Sequence, residues 1–171
     1  MGTDYIKEIE NSNVYDVAKV TPISFLNKIS SKYKNKIYLK REDLQPIFSF
    51  KCRGAYNKIS NLSDDQKSRG IIAASAGNHA QGVAMSASKL KISAVIVMPT
   101  TTPSIKIESV KKFGVEVLLF GDSFDEAYEH ALKISEEEFM NIVSRHVVEP
   151  FEMPNQKDKT SKKNQSFLFW L

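Results

Sequence analysis

One lysine of this 171-residue chain occupies a position suited to nucleophilic chemistry. Lys51 follows Phe50 at the predicted start of a helix. Because a helix N-terminus disfavours a cation, this position favours the neutral amine, which is the form that attacks a carbonyl group. The alternative is a solvated surface lysine, since most lysines in proteins are exposed. Cys52, the next residue, is better explained as a small buried side chain than as a reactive thiol.

A second segment could bind an anion. Residues 75–79, with the sequence Ser-Ala-Gly-Asn-His, connect a predicted strand to the helix that follows it. Such a loop leaves successive backbone N–H groups available at a helix N-terminus, where a carboxylate or a phosphate can bind. The loop also lies at the carboxyl end of a strand, which is where open α/β sheets bind ligands. An ordinary helix cap by Ser75 or Asn78 is the alternative.

The elements around these segments alternate between strand and helix patterns. Short apolar runs predict strands at Ile71–Ala74, Ala94–Met98, Val115–Phe120 and Asn141–Val148. Repeated strand–helix–strand units predict an α/β fold, in which a parallel, right-handed βαβ sheet forms the middle of three layers. The helical stripes between the strands are Ala80, Val83, Ala84 and Ala87, then Ile107, Val110 and Phe113, then Phe124, Ala127, Tyr128 and Ala131.

Capping signals mark where several helices begin. Ser63 and Ser123 are each followed three residues later by Gln or Glu, which is the capping-box pattern. Thr102 followed by Pro103 predicts an N-cap and a proline at the first helical position.

Three further elements are expected upstream of the sheet. The pattern predicts a short strand at Ile37–Lys40 and a helix from about Arg53 to Leu62. Val14–Val20 is predicted to be helical, before the Thr-Pro pair at 21–22.

The net charge of +4 does not indicate a nucleic-acid partner. Residues 155–171 hold four lysines against one acidic residue, which leaves 20 basic and 19 acidic side chains in residues 1–154. The main part of the chain therefore lacks the basic surface that nucleic-acid binding requires.

Other classes of protein are excluded by composition. A single cysteine rules out a disulfide framework, and the three histidines lack metal-ligand spacing. The seven glycines form neither G-x-G-x-x-G nor a P-loop. A polar N-terminus and the lack of an 18-residue apolar run predict a cytoplasmic protein with no membrane segment.

The two segments together resemble the fold type II pyridoxal-phosphate enzymes, the tryptophan-synthase-β-like family. The likeness is carried by residues 40–46 (K-R-E-D-L-Q-P), 49–55 (S-F-K-C-R-G-A) and 75–82 (S-A-G-N-H-A-Q-G). It extends from about Val14 to Asp125 and is greatest to the threonine dehydratases, also called threonine ammonia-lyases. Serine dehydratases and serine racemases are related alternatives.

The resemblance implies a role for each residue of the two segments. Lys51 would hold pyridoxal 5′-phosphate covalently and later move the proton at the substrate Cα. Phe50 would pack near the cofactor ring, and Asn78 would hydrogen-bond the cofactor's 3-hydroxyl group. The substrate carboxylate would bind the backbone N–H groups of Ser75, Ala76, Gly77, Asn78 and His79.

Ala76 bears on the type of reaction. Serine racemases of this family place a second serine directly before the Gly-Asn of this loop, where it delivers a proton to the opposite face of Cα. Ala76 has no such donor, so the resemblance implies elimination rather than racemisation. The expected reaction is conversion of L-threonine to 2-oxobutanoate and ammonia, with serine as an alternative substrate.

The resemblance also implies how the chain is divided. Residues 1–54 would be the N-terminal part of the large catalytic domain, residues 55–150 the small α/β domain, and residues 151–171 a disordered or aberrant tail. The family's tetraglycine phosphate loop and its partner for the pyridine nitrogen lie further along, so the chain is expected to be a truncated form. Full-length family members are homo-oligomers, but this gives no expectation for the present chain.

Two alternatives to an active lyase stay open. The chain could be a non-catalytic α/β fragment that binds an anion or a partner subunit. A flavodoxin-like regulatory module would share the sheet pattern, but it leaves Lys51 and residues 40–46 unexplained.

Overall fold

The computed structural model describes residues 5–144 of the chain. Within this range, single 3₁₀ turns occur at Asn13–Asp16 and Glu42–Leu44. The helices and strands, in chain order, are α1 (Tyr5–Glu10), β1 (Ile23–Phe25), α2 (Asn27–Tyr33), β2 (Tyr38–Lys40), α3 (Lys51–Ser60), α4 (Asp64–Arg69), β3 (Ile71–Ala74), α5 (Asn78–Leu90), β4 (Ala94–Met98), α6 (Ser104–Lys111), β5 (Glu116–Leu119), α7 (Phe124–Glu137) and β6 (Asn141–Ile142).

The main sheet has the strand order β5-β4-β3-β6, and all of its pairs are parallel. Ile71 lies opposite Ala94 on one side and opposite Asn141 on the other. The chain runs outward from β3 through β4 to β5 and then returns to the other side of β3. The carboxyl end of β3 is therefore the point where the strand order reverses, which is the preferred ligand site of open α/β sheets.

Helices cover both faces of this sheet. On one face Ile71 and Ala73 pack with residues of α3, α5 and α6 in a single buried cluster that includes Ile59 and Val83. On the other face Ile72 and neighbouring apolar residues pack against α7. Successive side chains of a strand point to opposite faces, so a strand buried on both faces reads as a continuous apolar run. The predicted three-layer α/β fold with a parallel sheet is confirmed.

Two of the three predicted helix caps are confirmed. Ser63 and Ser123 each accept a hydrogen bond from the N–H three residues later, and the Gln66 and Glu126 side chains accept from the cap residues' own N–H groups. The predicted cap at Thr102 is wrong, because α6 begins one residue later than that pattern requires. The Thr102 N–H donates to the Pro99 carbonyl (3.0 Å) in a turn, and its buried hydroxyl has no partner among residues 5–144.

The prediction of a helix at Val14–Val20 is also wrong. Only the 3₁₀ turn at Asn13–Asp16 forms, and Lys19 is held by a side chain from a distant part of the chain. Its N–H donates to Gln45 Oε1 (2.8 Å), and its carbonyl accepts from Gln45 Nε2 (2.9 Å). The backbone hydrogen bonds that a helix would provide are thus made by tertiary contact.

The remaining predicted elements form with shifted ends. The helix expected to begin at about Arg53 begins at Lys51, and β2 pairs antiparallel with β1, a strand that the sequence pattern did not predict. In β6 only Asn141–Ile142 is a strand, and residues 145–148 of its predicted range lie outside the described residues. The proposed tail at 151–171 lies outside them too, and the domain boundaries remain predictions.

Within residues 5–144, no helix combines the length and the apolar character that crossing a membrane requires. The same residues contain no cluster of three or more histidine, cysteine or acidic side chains that could hold a metal ion.

Candidate active site

Lys51 is the first residue of α3, and the contact between α3 and α5 fixes its position. Gly82 of α5 lies directly against the start of α3. A Cβ added at Gly82 would lie 3.0 Å from the Lys51 carbonyl oxygen and 3.2 Å from the Ala55 Cβ. The absence of a side chain at Gly82 therefore allows the two helices to approach closely and brings Lys51 to the N-terminal end of α5.

The residues before Lys51 also hold the start of α3. The Lys51 N–H donates to the Ser49 side-chain oxygen (3.3 Å), and the Cys52 thiol donates to the Ser49 carbonyl (3.5 Å). Cys52 is fully buried, and this burial raises the pKa of its thiol. The thiol is therefore protonated near neutral pH, consistent with the interpretation of Cys52 as a packing residue.

The loop after β3 joins the sheet to α5. The Ser75 N–H continues the strand ladder by donating to the Val97 carbonyl (3.0 Å), and the Ser75 hydroxyl accepts from the Gly77 N–H (3.3 Å). α5 begins at Asn78, and no side chain caps its N-terminus. The N-cap residue is Gly77 rather than Ser75 or Asn78, and among residues 5–144 the Ser75 hydroxyl bonds only the N–H of that glycine. The first N–H groups of a helix have no intrahelical acceptor, so this end of α5 suits an anion.

These elements meet in a cleft of about 330 Å³. Lys51 enters it from α3, the loop after β3 and the start of α5 form another wall, and α6 contributes Lys106. Phe50 does not line the cleft, but its ring centroid lies 5.2 Å from the Lys51 ammonium nitrogen. The cleft-lining residues are Lys51, Ser75, Ala76, Gly77, Asn78, His79 and Lys106.

The structure thus brings together the predicted site residues, which the sequence separates into two segments. The Ser75 N–H already donates to the Val97 carbonyl, so it is not available to a substrate carboxylate as the sequence predicted. The other predicted roles toward a cofactor and a substrate remain predictions. The His79 side chain has a structural function that the sequence did not indicate. Its ring is buried, and Nε2 lies 3.1 Å from the Val143 carbonyl oxygen, which ties the first turn of α5 to the end of β6.

Lys106 is the site residue that the sequence analysis missed. It lies near the start of α6, after the carboxyl end of β4, the strand next to β3. Since the carboxyl ends of parallel strands meet at one edge of a sheet, the predicted topology could have indicated it.

The charge of the cleft is positive. Its lining contains two lysines and no acidic residue. Among residues 5–144, neither the Lys51 nor the Lys106 ammonium is paired with a carboxylate. The arrangement favours an anionic ligand.

A buried ion pair supports the helix that carries Lys51. The Glu42 carboxylate is 1% exposed and accepts hydrogen bonds from Arg53 Nε (2.9 Å), the Thr21 hydroxyl (2.6 Å) and Gln45 Nε2 (3.1 Å). The hydrogen bond from the Arg53 guanidinium holds the pKa of Glu42 below its usual value, and Glu42 raises the pKa of Arg53. Since Arg53 is in the first turn of α3, this pair fixes that turn to residues 42–45.

Comparison with known proteins identifies a family. The family model for pyridoxal-phosphate-dependent enzymes matches residues 14–157. A biosynthetic L-threonine dehydratase of Pasteurella multocida is 52% identical over 153 residues, which are 90% of this chain and 29% of the relative. The biosynthetic L-threonine dehydratase of Escherichia coli is 46% identical, again over 90% of this chain and 29% of the relative. The chain thus spans less than a third of the length of these curated relatives.

Solved structures give the same result. The processed form of threonine deaminase isoform 2 from Solanum lycopersicum superposes with a TM-score of 0.79 and 48% identity, covering 83% of this chain and 40% of that one. Maize serine racemase superposes with a TM-score of 0.76 and 31% identity, covering 82% of this chain and 42% of the racemase.

Proposed function

The chain belongs to the family of pyridoxal-phosphate-dependent enzymes, and we propose that it is the lysine-bearing part of a threonine ammonia-lyase. Such an enzyme converts L-threonine to 2-oxobutanoate and ammonia. The observation that carries the proposal is the meeting of Lys51 with the loop 75–79 in one positively charged cleft. The threonine dehydratases at about 50% identity support this choice of substrate.

The residues of the cleft, together with the neighbouring Phe50, fit pyridoxal phosphate in four respects. Lys51 offers an amine to the aldehyde of the cofactor, and the neighbouring Phe50 offers an aromatic surface. The two lysines match its negative charge. Around Gly77 the space is open, since a Cβ added there would meet no atom of the described residues within 4 Å.

When bound, pyridoxal phosphate supplies an electron sink that stabilises negative charge at the substrate Cα. In our proposal Lys51 would hold the cofactor through its Nζ and would later accept the proton from Cα of the substrate. Asn78 would hydrogen-bond the 3-hydroxyl group of the cofactor. The loop 75–79 orients the substrate through its carboxylate, so that the Cα–H bond faces Lys51.

The side chain at position 76 favours elimination. The Ala76 methyl group cannot deliver a proton to the opposite face of Cα, so the hydroxyl on Cβ is lost as water instead. The unsaturated amine that is left is then hydrolysed, which takes up one water and releases ammonia. The water lost and the water gained cancel, and the net change is L-threonine to 2-oxobutanoate and ammonia.

The experiment is covalent trapping of the cofactor on this chain. Pyridoxal phosphate is added, the link to lysine is reduced with borohydride, and the modified peptide is identified by mass spectrometry. We expect the adduct on Lys51, its loss in Lys51→Ala, and its retention in Lys58→Ala, which removes an exposed lysine from the same helix. Formation of 2-oxobutanoate from L-threonine is measured in parallel.

A second candidate is a non-catalytic α/β fragment. One observation favours it, since no run of four glycines for the family's phosphate loop occurs in this chain. A folded chain that forms no adduct at Lys51 would support this candidate, and an adduct with turnover of L-threonine would exclude it.

A further inference from the structure

Lys106 is the second cation of the cleft. Its side chain is exposed, and among residues 5–144 it has no carboxylate partner. The acidic residue closest in sequence, Glu108, lies instead 4.0 Å from Lys111 on the same helix. The Lys106 ammonium is therefore available to a ligand of the cleft.

The backbone around Lys106 is held by hydrogen bonds on both sides. Its N–H donates to the Pro103 carbonyl (2.9 Å), and its carbonyl accepts from the Ser109 hydroxyl (2.6 Å). The loop that precedes α6 is tied to the neighbouring strand connection, where the Thr100 N–H donates to the Gly121 carbonyl (2.8 Å). The lysine thus projects from a fixed helix start rather than from a free loop.

We propose that the Lys106 ammonium pairs with the carboxylate of the amino-acid substrate. This rests on the proposed function. In that reaction Lys51 would hold the cofactor and then gain and lose the Cα proton, so its charge would change during the reaction. Backbone N–H groups carry only partial charge, so a full opposite charge nearby would strengthen the binding of the carboxylate. Lys106 is the remaining cation among the lining residues of the cleft.

The position of Lys106 suits the carboxylate of the substrate. The carboxylate is one bond from Cα, which Lys51 must reach, so the bound carboxylate lies close to Lys51. Lys106, Lys51 and the loop 75–79 line the same small cleft. The cofactor's phosphate is the other anion that this cleft could receive, and a phosphate titration separates the two.

The test measures ligand binding to the cofactor-free chain by NMR. L-Threonine is titrated into ¹⁵N-labelled protein, and the amide signals of Gly77 and Asn78 report occupancy. L-Threoninol, in which an alcohol replaces the carboxylate, isolates the carboxylate contribution, and inorganic phosphate represents the cofactor's anion. Lys106→Met removes the charge, Lys106→Arg retains it, and Lys111→Met is the matched control on the same helix.

We expect L-threonine to bind more tightly than L-threoninol, and Lys106→Met to weaken L-threonine binding about two- to fivefold, as for an ion pair open to water. Lys106→Arg and Lys111→Met should bind as the wild type does. The proposal is overturned if Lys106→Met behaves like Lys111→Met, if it weakens phosphate binding alone, or if L-threonine leaves Gly77 and Asn78 unshifted. Because no cofactor is present, this outcome is independent of whether Lys51 forms an adduct.

Discussion

Replacing Gly82 by alanine tests whether the close approach of α3 and α5 positions Lys51. The added Cβ would lie 3.0 Å from the Lys51 carbonyl oxygen, 3.2 Å from its carbonyl carbon and 3.2 Å from the Ala55 Cβ. Two of these atoms belong to the backbone, so no side-chain rotation can relieve the contact. The two helices must separate by a few tenths of an ångström, and Lys51 must move relative to the loop 75–79.

Two opposing terms set the size of the effect. Overpacking a buried contact costs about 1–3 kcal/mol. Alanine inside a helix is favoured over glycine by roughly 0.5–1 kcal/mol. The sum gives an expected loss of about 1 kcal/mol in the free energy of unfolding. Displacement of a reacting group also slows chemistry, so we expect pyridoxal phosphate to react with Lys51 about three- to tenfold more slowly.

The assay combines urea unfolding with borohydride trapping of the Lys51 adduct over time. Ser88→Ala, at an exposed position of α5, is the control for helix propensity alone. If Gly82→Ala stabilised the protein as propensity predicts and Lys51 reacted at the wild-type rate, the positioning role of Gly82 would be refuted.

Four further outcomes follow from the contacts above. Glu42→Gln should lower the free energy of unfolding by about 2–3 kcal/mol at pH 7, since it breaks a buried ion pair with the partly exposed Arg53. Because the folded state lowers the pKa of Glu42, its contribution is fully present above the unfolded pKa of about 4.3 and is lost as the pH falls through the lower folded pKa. Urea unfolding at pH 7 and pH 3 should therefore show that the difference in the free energy of unfolding between the wild type and Glu42→Gln is smaller in acid. Ser123→Ala should cost about 1 kcal/mol in the same assay through loss of the α7 cap. The buried Cys52 thiol should react with a thiol reagent only as fast as the protein unfolds, and fast reaction in the native state would contradict its burial. Gly77→Ala should leave urea stability unchanged within about 0.5 kcal/mol while weakening L-threonine binding measured by NMR.

The sheet and the helices on its faces were predictable from sequence. Ile71–Ala74 and Ala94–Met98 form strands with the predicted bounds, because a strand buried on both faces must be a short continuous apolar run. The cap at Ser123 was predictable for a different reason, since the capping box is a local interaction within four residues. A local cause is thus often visible in the sequence, although the cap predicted from Thr102 and Pro103 was wrong because Thr102 forms a turn with Pro99 instead.

The errors occur where distant residues decide the local structure. Lys19 is not helical because Gln45, 26 positions away, satisfies its backbone groups. The buried contacts of Glu42 with Thr21 and Arg53 join three separate segments. Lys106 reaches the cleft only because β3 and β4 are neighbours in the sheet. The contacts of Lys19 and Glu42 have no periodicity or motif that a single sequence displays, whereas the place of Lys106 could have been inferred from the predicted sheet topology.

The two glycines of the site are needed for opposite reasons. At Gly82 the space for a side chain is already occupied by α3, so packing alone explains the residue. At Gly77 a Cβ would meet no described atom within 4 Å, and the backbone has a φ of −132° that any residue adopts. Neither packing nor conformation among residues 5–144 therefore requires glycine at position 77. In the proposed function, glycine at this position would let an anionic ligand approach the backbone closely, and the titration of Gly77→Ala with L-threonine tests this reason.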